Sequence, residues 1–480
     1  MEHTNQPEEH LQDKEKANEK IDGTKEDPQK KTLSHSEEEF KWSVLPDVCL
    51  RQVFWWLQDA DRAQAALVCH HWHHVVRSPS LWRKRTFNFS GHLPWSHHSE
   101  LENGIKYVQS YGSYLENLEV HFIHPLNTYV TRRFQQIMRT FLAALRKSGA
   151  CLRSLTIYSM HLNRPAYCNS VRNALVRSLA FYLRRGGSQL NSLNLTGARF
   201  NLPHGIQILE AVAATQHYDR IGRLSGLATL NLKDFFTQSL DVYSTQHFAR
   251  VLQRFQGLSN LTLNYSCISN ELLQALAFCC TGLNGVGGLC NLSVYCHANE
   301  PHFQMIRGDA WALLAQKCPN LRVQITVEGI LAIEQLCNIL LKEIPLNDLT
   351  LSSLYLTQLN WTIKPALSNL LPWYRTHLQK LTLDIQNNNE SMEEELLELV
   401  TVCSKLTYLN VRAFLSISFL ETLLQKRLER KCSLQTIKVR LYIRRHETHE
   451  ANAMLQEVFS RYKQLIDSEL TYYAIPYPIP

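Results

Sequence analysis

The sequence predicts an α/β fold: a small all-helical module near the N-terminus, followed by a curved solenoid of strand–helix units with parallel strands on the concave side and helices on the convex side. Three observations carry this. Leucine supplies 74 of the 480 residues. Much of that excess falls in one spacing (apolar, two variable, apolar, one variable, apolar) that returns every 28–38 residues from Leu115 to Leu434. An amphipathic stretch at helical spacing fits between successive copies.

Composition bounds the rest. A chain of this length allows about three domains or one long array. Gly 18 and Pro 16 are too few for a collagen-like or loop-rich chain. The formal charge of +7 is unevenly spread. Residues 1–40 hold 6 Lys and 12 Asp or Glu, a net of −6, so the remainder carries +13. So polar a segment cannot bury enough surface to offset about 1–2 kcal/mol of backbone entropy per ordered residue, and it reads as a disordered acidic tail. No apolar run of about twenty residues predicts a membrane span, and the acidic N-terminus is unlike a secretory signal. Thirteen cysteines without a Cys-x-x-Cys pair suit thiols used as small buried hydrophobes in a reducing compartment. The expected location is cytoplasmic, nuclear or both, without membrane association.

At Trp42 the composition changes abruptly. Leu45-Pro46-Asp47 reads as a helix entry, since proline suits a first helical turn. Val48, Val53, Phe54 and Leu57 supply an apolar stripe, and Asp59 to Asp61 interrupt it. A second helix from about Arg62 places Ala65, Leu67, Val68, Trp72, Val75 and Val76 at near-helical spacing. Ser78-Pro79 ends it, and Leu81-Trp82 closes the segment. Three short helices make a very small core, yet Phe54, Trp55, Trp56, Trp72 and Trp82 crowd onto them, which implies that a partner covers some of these rings.

Leu45, Pro46, Val53, Phe54, Leu57, Val68, Cys69, Trp72, Leu81 and Trp82 stand in the order and spacing of an F-box, and the segment resembles that family over about 42 residues. The resemblance implies a trihelical module that binds the adaptor Skp1 through these ten residues, with Skp1 joining a cullin and a RING protein in a ubiquitin ligase. His70 and His74 have the i, i+4 spacing of helical zinc ligands, but no acidic or thiol partner stands at a suitable distance in sequence. A solvated helix face is the expectation, with no metal.

The repeated pattern begins at Leu115, Leu152, Leu190, Leu227, Leu258, Leu289, Cys318, Leu346, Leu378, Leu406 and Leu434. Leucine fills 25 of the 33 apolar slots. Phe134, Ile137, Met138, Phe141, Leu142 and Leu145 form one intervening helical stripe, and Phe419, Leu420, Leu423 and Leu424 another. A strand and a helix at this period are the signature of leucine-rich repeats, whose units bury their leucine face only by stacking on neighbours. Cys318-Pro319-Asn320-Leu321 resembles a unit start common in F-box proteins with such repeats. Smaller matches resemble the F-box only protein thirty-nine group: Tyr114-Leu115-Glu116 with Leu118-Glu119-Val120, Leu378-Gln379-Lys380-Leu381, Asn387–Asn389 before Glu393-Glu394-Glu395, and Ser468-Glu469-Leu470. The expected organisation is a tail over 1–40, the F-box over 41–86, a linking and packing segment over 87–114, the solenoid over 115–445, and a capping helix with tail over 446–480. The capping helix should turn Met454, Leu455, Val458, Tyr462 and Leu465 inward.

Side chains alternate along a strand, so slots three, five and seven of each unit line the concave face. Most units present polar groups there: Ser192, Asn194 and Thr196; Asn260, Thr262 and Asn264; Asn291, Ser293 and Tyr295. The last two present Tyr408, Asn410, Arg412, Thr436, Lys438 and Arg440, with no acid among them, and Lys380 and Asp384 precede them. Either this is a solvated basic face, or it holds an acidic or phosphorylated protein segment.

No Walker-type loop, Gly-x-Ser-x-Gly elbow or His-Glu-x-x-His is present, and the glycines of Gly282–Gly288 read as an inter-repeat loop. Stacking aromatics on the concave face are few, so nucleic acid is not an expected partner. The resemblance implies a non-catalytic substrate-recognition subunit of a Skp1–cullin–F-box ligase, with no cofactor. The rival reading is a leucine-rich-repeat scaffold without a part in degradation.

Overall fold

A computed structural model describes residues 42, 45–89, 98–122, 127–215, 217–218, 224–237, 241–279, 288–298, 300–329, 332–353, 362–387, 390–444 and 448–479. The acidic segment 1–40 lies outside the described residues, as do the glycine run before Gly288 and Asn388-Asn389. The chain forms two units, residues 1–76 and 77–480.

In the first unit, α1 (Asp47–Trp56), α2 (Asp59–Ala65) and α3 (His70–Val76) surround a minimal core. Leu50 and Phe54, four residues apart, turn inward from α1, and Val75 and Val76 meet them from α3. The expected continuous helix from Arg62 to Val76 is broken instead. Its Ala66–Cys69 segment is a turn, so Leu67 and Val68 face water where the helical reading put them on a buried stripe. Arg62, on α2, is 9% exposed and donates from Nε to the Phe54 carbonyl at 2.8 Å and from Nη2 to the Trp55 carbonyl at 2.9 Å. The Phe54 carbonyl also accepts from the Leu57 amide at 3.2 Å, so the guanidinium adds to the closure of α1 and supplies a donor for Trp55.

Among the described residues, the second unit is built on a parallel sheet of thirteen strands in sequence order, with a separate antiparallel pair formed by residues 217–218 and 224–225. We number them β1 (Lys84–Phe89), β2 (Asn117–Phe122), β3 (Ser154–Tyr158), β4 (Ser192–Asn194), β5 (Thr229–Asn231), β6 (Asn260–Asn264), β7 (Asn291–Cys296), β8 (Arg322–Glu328), β9 (Leu346–Ser352), β10 (Lys380–Asp384), β11 (Tyr408–Ala413), β12 (Thr436–Arg444) and β13 (Thr471–Ile479). A helical segment lies in every connection, as parallel neighbours require. Among them are α4 (His98–Tyr111), α5 (Thr128–Lys147), α6 (Asn169–Gly186), α7 (Leu202–Ala213) and, near the end, α8 (Ile417–Leu428). Caps set several starts: Asn127 accepts from the Val130 amide, Asn201 from His204, and Ser416 from Phe419. Helices about 10 Å across need more room than strands about 4.8 Å apart, so stacking them bends the sheet with its strands on the concave side.

The pairing register makes the leucine pattern physical. Leu118, Leu155, Leu193, Leu230, Leu261 and Leu292 lie side by side across six strands, each no more than 1% exposed. Leu349, Leu381, Leu409 and Ile437 form the corresponding row on the later strands, all at 0%. At about 1.5–3 kcal/mol per buried leucine, each row makes a large favourable contribution to the core.

Three expectations are corrected. The unit starting at Cys318 is displaced by two residues: Val323, not Leu321, pairs with Leu292, and Ile325 with Val294. Val323, Ile325 and Val327 are all buried, so β8 runs long, and an irregularity between Val323 and Gln324 opposite β9 restores the later register. The capping helix is two helices, Thr448–Arg461 and Lys463–Glu469, with Leu455, Val458 and Leu465 buried but Met454 exposed. Finally, the segment after it is a strand. β13 pairs with β12 from Thr436–Thr471 to Arg444–Ile479, and β1 adds a strand across the boundary between the expected F-box and the expected linker.

Candidate functional site

Two surfaces carry the residues singled out by sequence. On the helical unit, Phe54 and Trp72 pack edge to face with ring centroids 5.2 Å apart, and the Trp72 Nε1 donates to the Trp42 carbonyl at 3.4 Å. Phe54 is 1% exposed and belongs to the core, whereas Trp72, Leu45, Leu57 and Cys69 are half-buried. Leu81 and Trp82 are buried within the second unit, where Trp82 stacks on Tyr111 at 4.3 Å. Pro46, Val53 and Val68 are exposed. Beside them stand groups the site reading omitted: Val48 and Trp55, Trp56 at 82% exposure, and Leu67 at 77%. On α1, Val48, Val53, Trp55 and Trp56 occupy the face opposite Leu50 and Phe54. Their signal in the sequence was an excess of apolar residues over what one short helix can bury.

The histidine run is engaged locally. His71 Nε2 lies 2.8 Å from Asp47 Oδ1, and that contact holds the Asp47 carboxyl below its ordinary range. His73 Nδ1 lies 3.2 Å from the Ala66 carbonyl. Among the described residues, no three His, Cys, Asp or Glu side chains are grouped to hold a metal ion.

On the concave face, register places the C-terminal residues in rows. Lys380, Tyr408 and Thr436 are neighbours, then Thr382, Asn410, Lys438 and Tyr473, then Asp384, Arg412 and Arg440. All six predicted positions are therefore brought together on two adjacent strands. The basic character is partly compensated, because Arg412 Nη1 lies 3.1 Å from Asp384 Oδ2. The Tyr442 hydroxyl donates to the other Asp384 oxygen at 3.2 Å. Burial and the adjacent carboxylate push that phenol up to about 12. Lys438 and Arg440 have no carboxylate partner among the described residues; the Lys438 ammonium lies 5.6 Å from the Tyr408 ring centroid. β13 adds what the sequence reading lacked. Tyr477 approaches Arg412 at 5.3 Å and Tyr442 at 5.9 Å, and Tyr473 stands beside Lys438.

The middle of the face is a self-satisfied polar ladder. Asn291 donates to Asn260 at 2.7 Å, and Asn260 to Thr229 at 3.2 Å. Asn264 is 6% exposed and joins Asp234 and His297, whose Nε2 lies 3.2 Å from Asp234 Oδ1. That hydrogen bond raises the His297 pKa and lowers the Asp234 pKa.

Residues 42–88 match the family described as F-box-like. Over 245 residues the chain is 24% identical to F-box/LRR-repeat protein 21 of Mus musculus, covering 49% of this chain and 48% of that one. It is 25% identical over 239 residues to the Ovis aries protein of the same name, with 49% and 48% covered. The chain thus spans about half the length of these curated relatives. Among solved structures, the leucine-rich repeat-containing protein LegL7 from Legionella pneumophila is similar at TM-score 0.39 and 16% identity, over 73% of this chain and 98% of that one. The Rad7 and Elc1 complex in yeast is similar at TM-score 0.35 and 14% identity, over 82% and 88%. The chain combines an F-box-like segment with a solenoid of leucine-rich repeats. Among the described residues, no helix is long and apolar enough to cross a membrane.

Proposed function

We propose that this chain is the substrate-recognition subunit of a Skp1–cullin–F-box ubiquitin ligase, acting in the cytosol or nucleus. The supporting observation is the coincidence of the F-box-like match over 42–88 with helices that leave Val48, Val53, Trp55, Trp56, Leu67 and Val68 in water. So large an apolar group on so small a core calls for a covering partner, and Skp1 is the partner the family implies. The cullin and RING subunits follow through Skp1. Nearest within the class we place the F-box only protein thirty-nine group, on the short matches around Leu115, Leu378 and Glu393.

The concave surface of β11–β13 then receives an acidic or phosphorylated segment of the target. Lys438 and Arg440 supply charge with no carboxylate partner among the described residues, and Tyr408, Tyr473 and Tyr477 supply flanking rings. The chain's contribution to ubiquitin transfer is proximity: it holds target lysines at high effective concentration near the charged enzyme. The chemistry belongs to its partners.

The test is co-purification of Skp1 and cullin with the full-length chain and with a Leu45→Ala/Pro46→Ala variant. The variant should lose both partners. Full retention of Skp1 by the variant, or none by the wild type, would favour a repeat scaffold with no ligase role.

A further inference from the structure

On the helical side of the solenoid, away from the strands, α5 and α6 pack against each other along their length. α5 carries Arg132, Arg133, Arg139, Arg146 and Lys147 and no acid in 20 residues. α6 carries Arg172, Arg177, Arg184 and Arg185 and no acid in 18. Between them runs an open groove of about 560 Å³, lined by Gln135, Arg139, Arg146, Arg177, Ser178 and Phe181 among others. Phe181 in its lining is half exposed, with the Arg146 guanidinium 5.1 Å and the Arg185 guanidinium 5.6 Å from the ring centroid. No described carboxylate pairs with Arg139, Arg146, Arg177 or Arg185, although ion pairs are frequent elsewhere on the surface. Every other described helix of ten or more residues carries at least one acid within its span.

Such clustering of like charge opposes folding slightly and contributes nothing to the core. We propose that this groove binds an acidic amphipathic helix of a partner protein, at a site separate from the concave face. Arg139 and Arg146 are two turns apart, a separation of about 10.5 Å along the axis. Carboxylates two turns apart on one face of a docked helix match that separation, and an apolar residue between them falls on Phe181. Each arginine can engage a carboxylate through two parallel N–H donors. Single-stranded nucleic acid fits less well, because stacking successive bases needs several exposed rings and, among the groove's lining residues, Phe181 alone offers one.

The experiment uses the full-length chain bound to Skp1, or alone if Skp1 does not bind, so that failure of the ligase reading leaves this test intact. The probe is a fluorescent helical peptide of Glu, Leu and Ala, its glutamates two turns apart on one face with leucine between. Fluorescence anisotropy should show saturable binding that weakens with salt. Arg139→Glu/Arg146→Glu should weaken it by roughly 100-fold, about tenfold for each charge-assisted pair lost. Arg177→Gln, a milder change, should weaken it about tenfold, and Phe181→Ala should weaken it without changing the salt dependence. Thermal melting of each variant checks the fold, and Lys317→Glu, at an exposed position on the Gly308–Lys317 helix, should bind as wild type. Equal binding of a glutamine-for-glutamate peptide, indifference to all three groove variants, absence of peptide binding, or preference for single-stranded RNA would each overturn the proposal.

Discussion

Arg412 on β11 and Asp384 on β10 are register neighbours, and their side chains meet at 3.1 Å. Arg440, next in the same row, has no described carboxylate to meet. The Asp384 carboxylate therefore sets how much positive charge the C-terminal face offers. Arg412→Glu/Arg440→Glu should abolish capture of a co-purifying target while Skp1 binding is retained. Asp384→Asn should have the opposite sign, strengthening capture of an acidic target several-fold by freeing Arg412. Quantitative mass spectrometry of purified complexes reads both, and unchanged target recovery in the double variant would remove this face as the binding site.

Arg62 holds the end of α1 by two short hydrogen bonds to main-chain carbonyls. Replacing it with alanine removes the donor to the Trp55 carbonyl and leaves the Phe54 carbonyl with the Leu57 amide alone, at a cost of about 1–2 kcal/mol. A helical unit with so little core has no reserve to absorb that. Limited proteolysis of Arg62→Ala should cut first within residues 45–76 and leave the solenoid intact. Equal resistance to wild type would show that the guanidinium is not what holds α1.

The His297–Asp234 pair gives stability a pH signature. His297 is raised by its bond to Asp234, with Glu328 adding in the same direction and Lys233 opposing. Its stabilisation is therefore fully present below the unfolded histidine value, about 6.5, and is lost as pH rises through the higher folded value. Asp234 is lowered, so its share is present above about 3.9 and lost as pH falls through its folded value. The difference in melting temperature between wild type and His297→Gln should be largest between roughly pH 4 and 6.5 and shrink at alkaline pH. A difference that grows with pH would contradict the pairing.

β13 ends the sheet, and its prolines are placed to keep it the end. The Thr471 amide donates to the Gln435 carbonyl, so by alternation residues 473, 475 and 477 face β12 while Pro476 and Pro478 present their missing N–H groups to the open edge. They forfeit no ladder bond and deny one to any added strand. Pro476→Val/Pro478→Val should leave melting temperature unchanged within a few degrees but promote self-association, seen by sedimentation velocity. A monomeric double variant would mean the edge is protected by other means.

What could be read from the sequence follows from which interactions are periodic. The leucines from Leu118 to Leu292 were legible because every unit must place an apolar side chain at the same depth. The register of Val323 was not, since Leu321 and Val323 fit the pattern as well as Val323 and Ile325, and only lateral pairing with Leu292 decides between them. β13 was hidden by Pro476 and Pro478, which argue against a central strand but are tolerated at an edge. The turn at Ala66–Cys69 was not legible, because the apolar spacing runs on through Leu67 and Val68 as if the helix continued. On the concave face, six basic and polar positions were placed correctly on β11 and β12, while the Asp384 counter-charge and the tyrosines of β13 required the fold.

In the proposed function, Skp1 docks on the exposed rings of α1 and on the turn after α2. Isothermal titration of the purified chain with Skp1, compared with Trp56→Glu and Leu67→Glu, tests it most directly. Neither side chain contributes to the core, so both variants should melt as wild type and yet lose Skp1 affinity by at least roughly 30-fold, as for a hot spot of about 2 kcal/mol. Wild-type affinity in both variants would contradict the account.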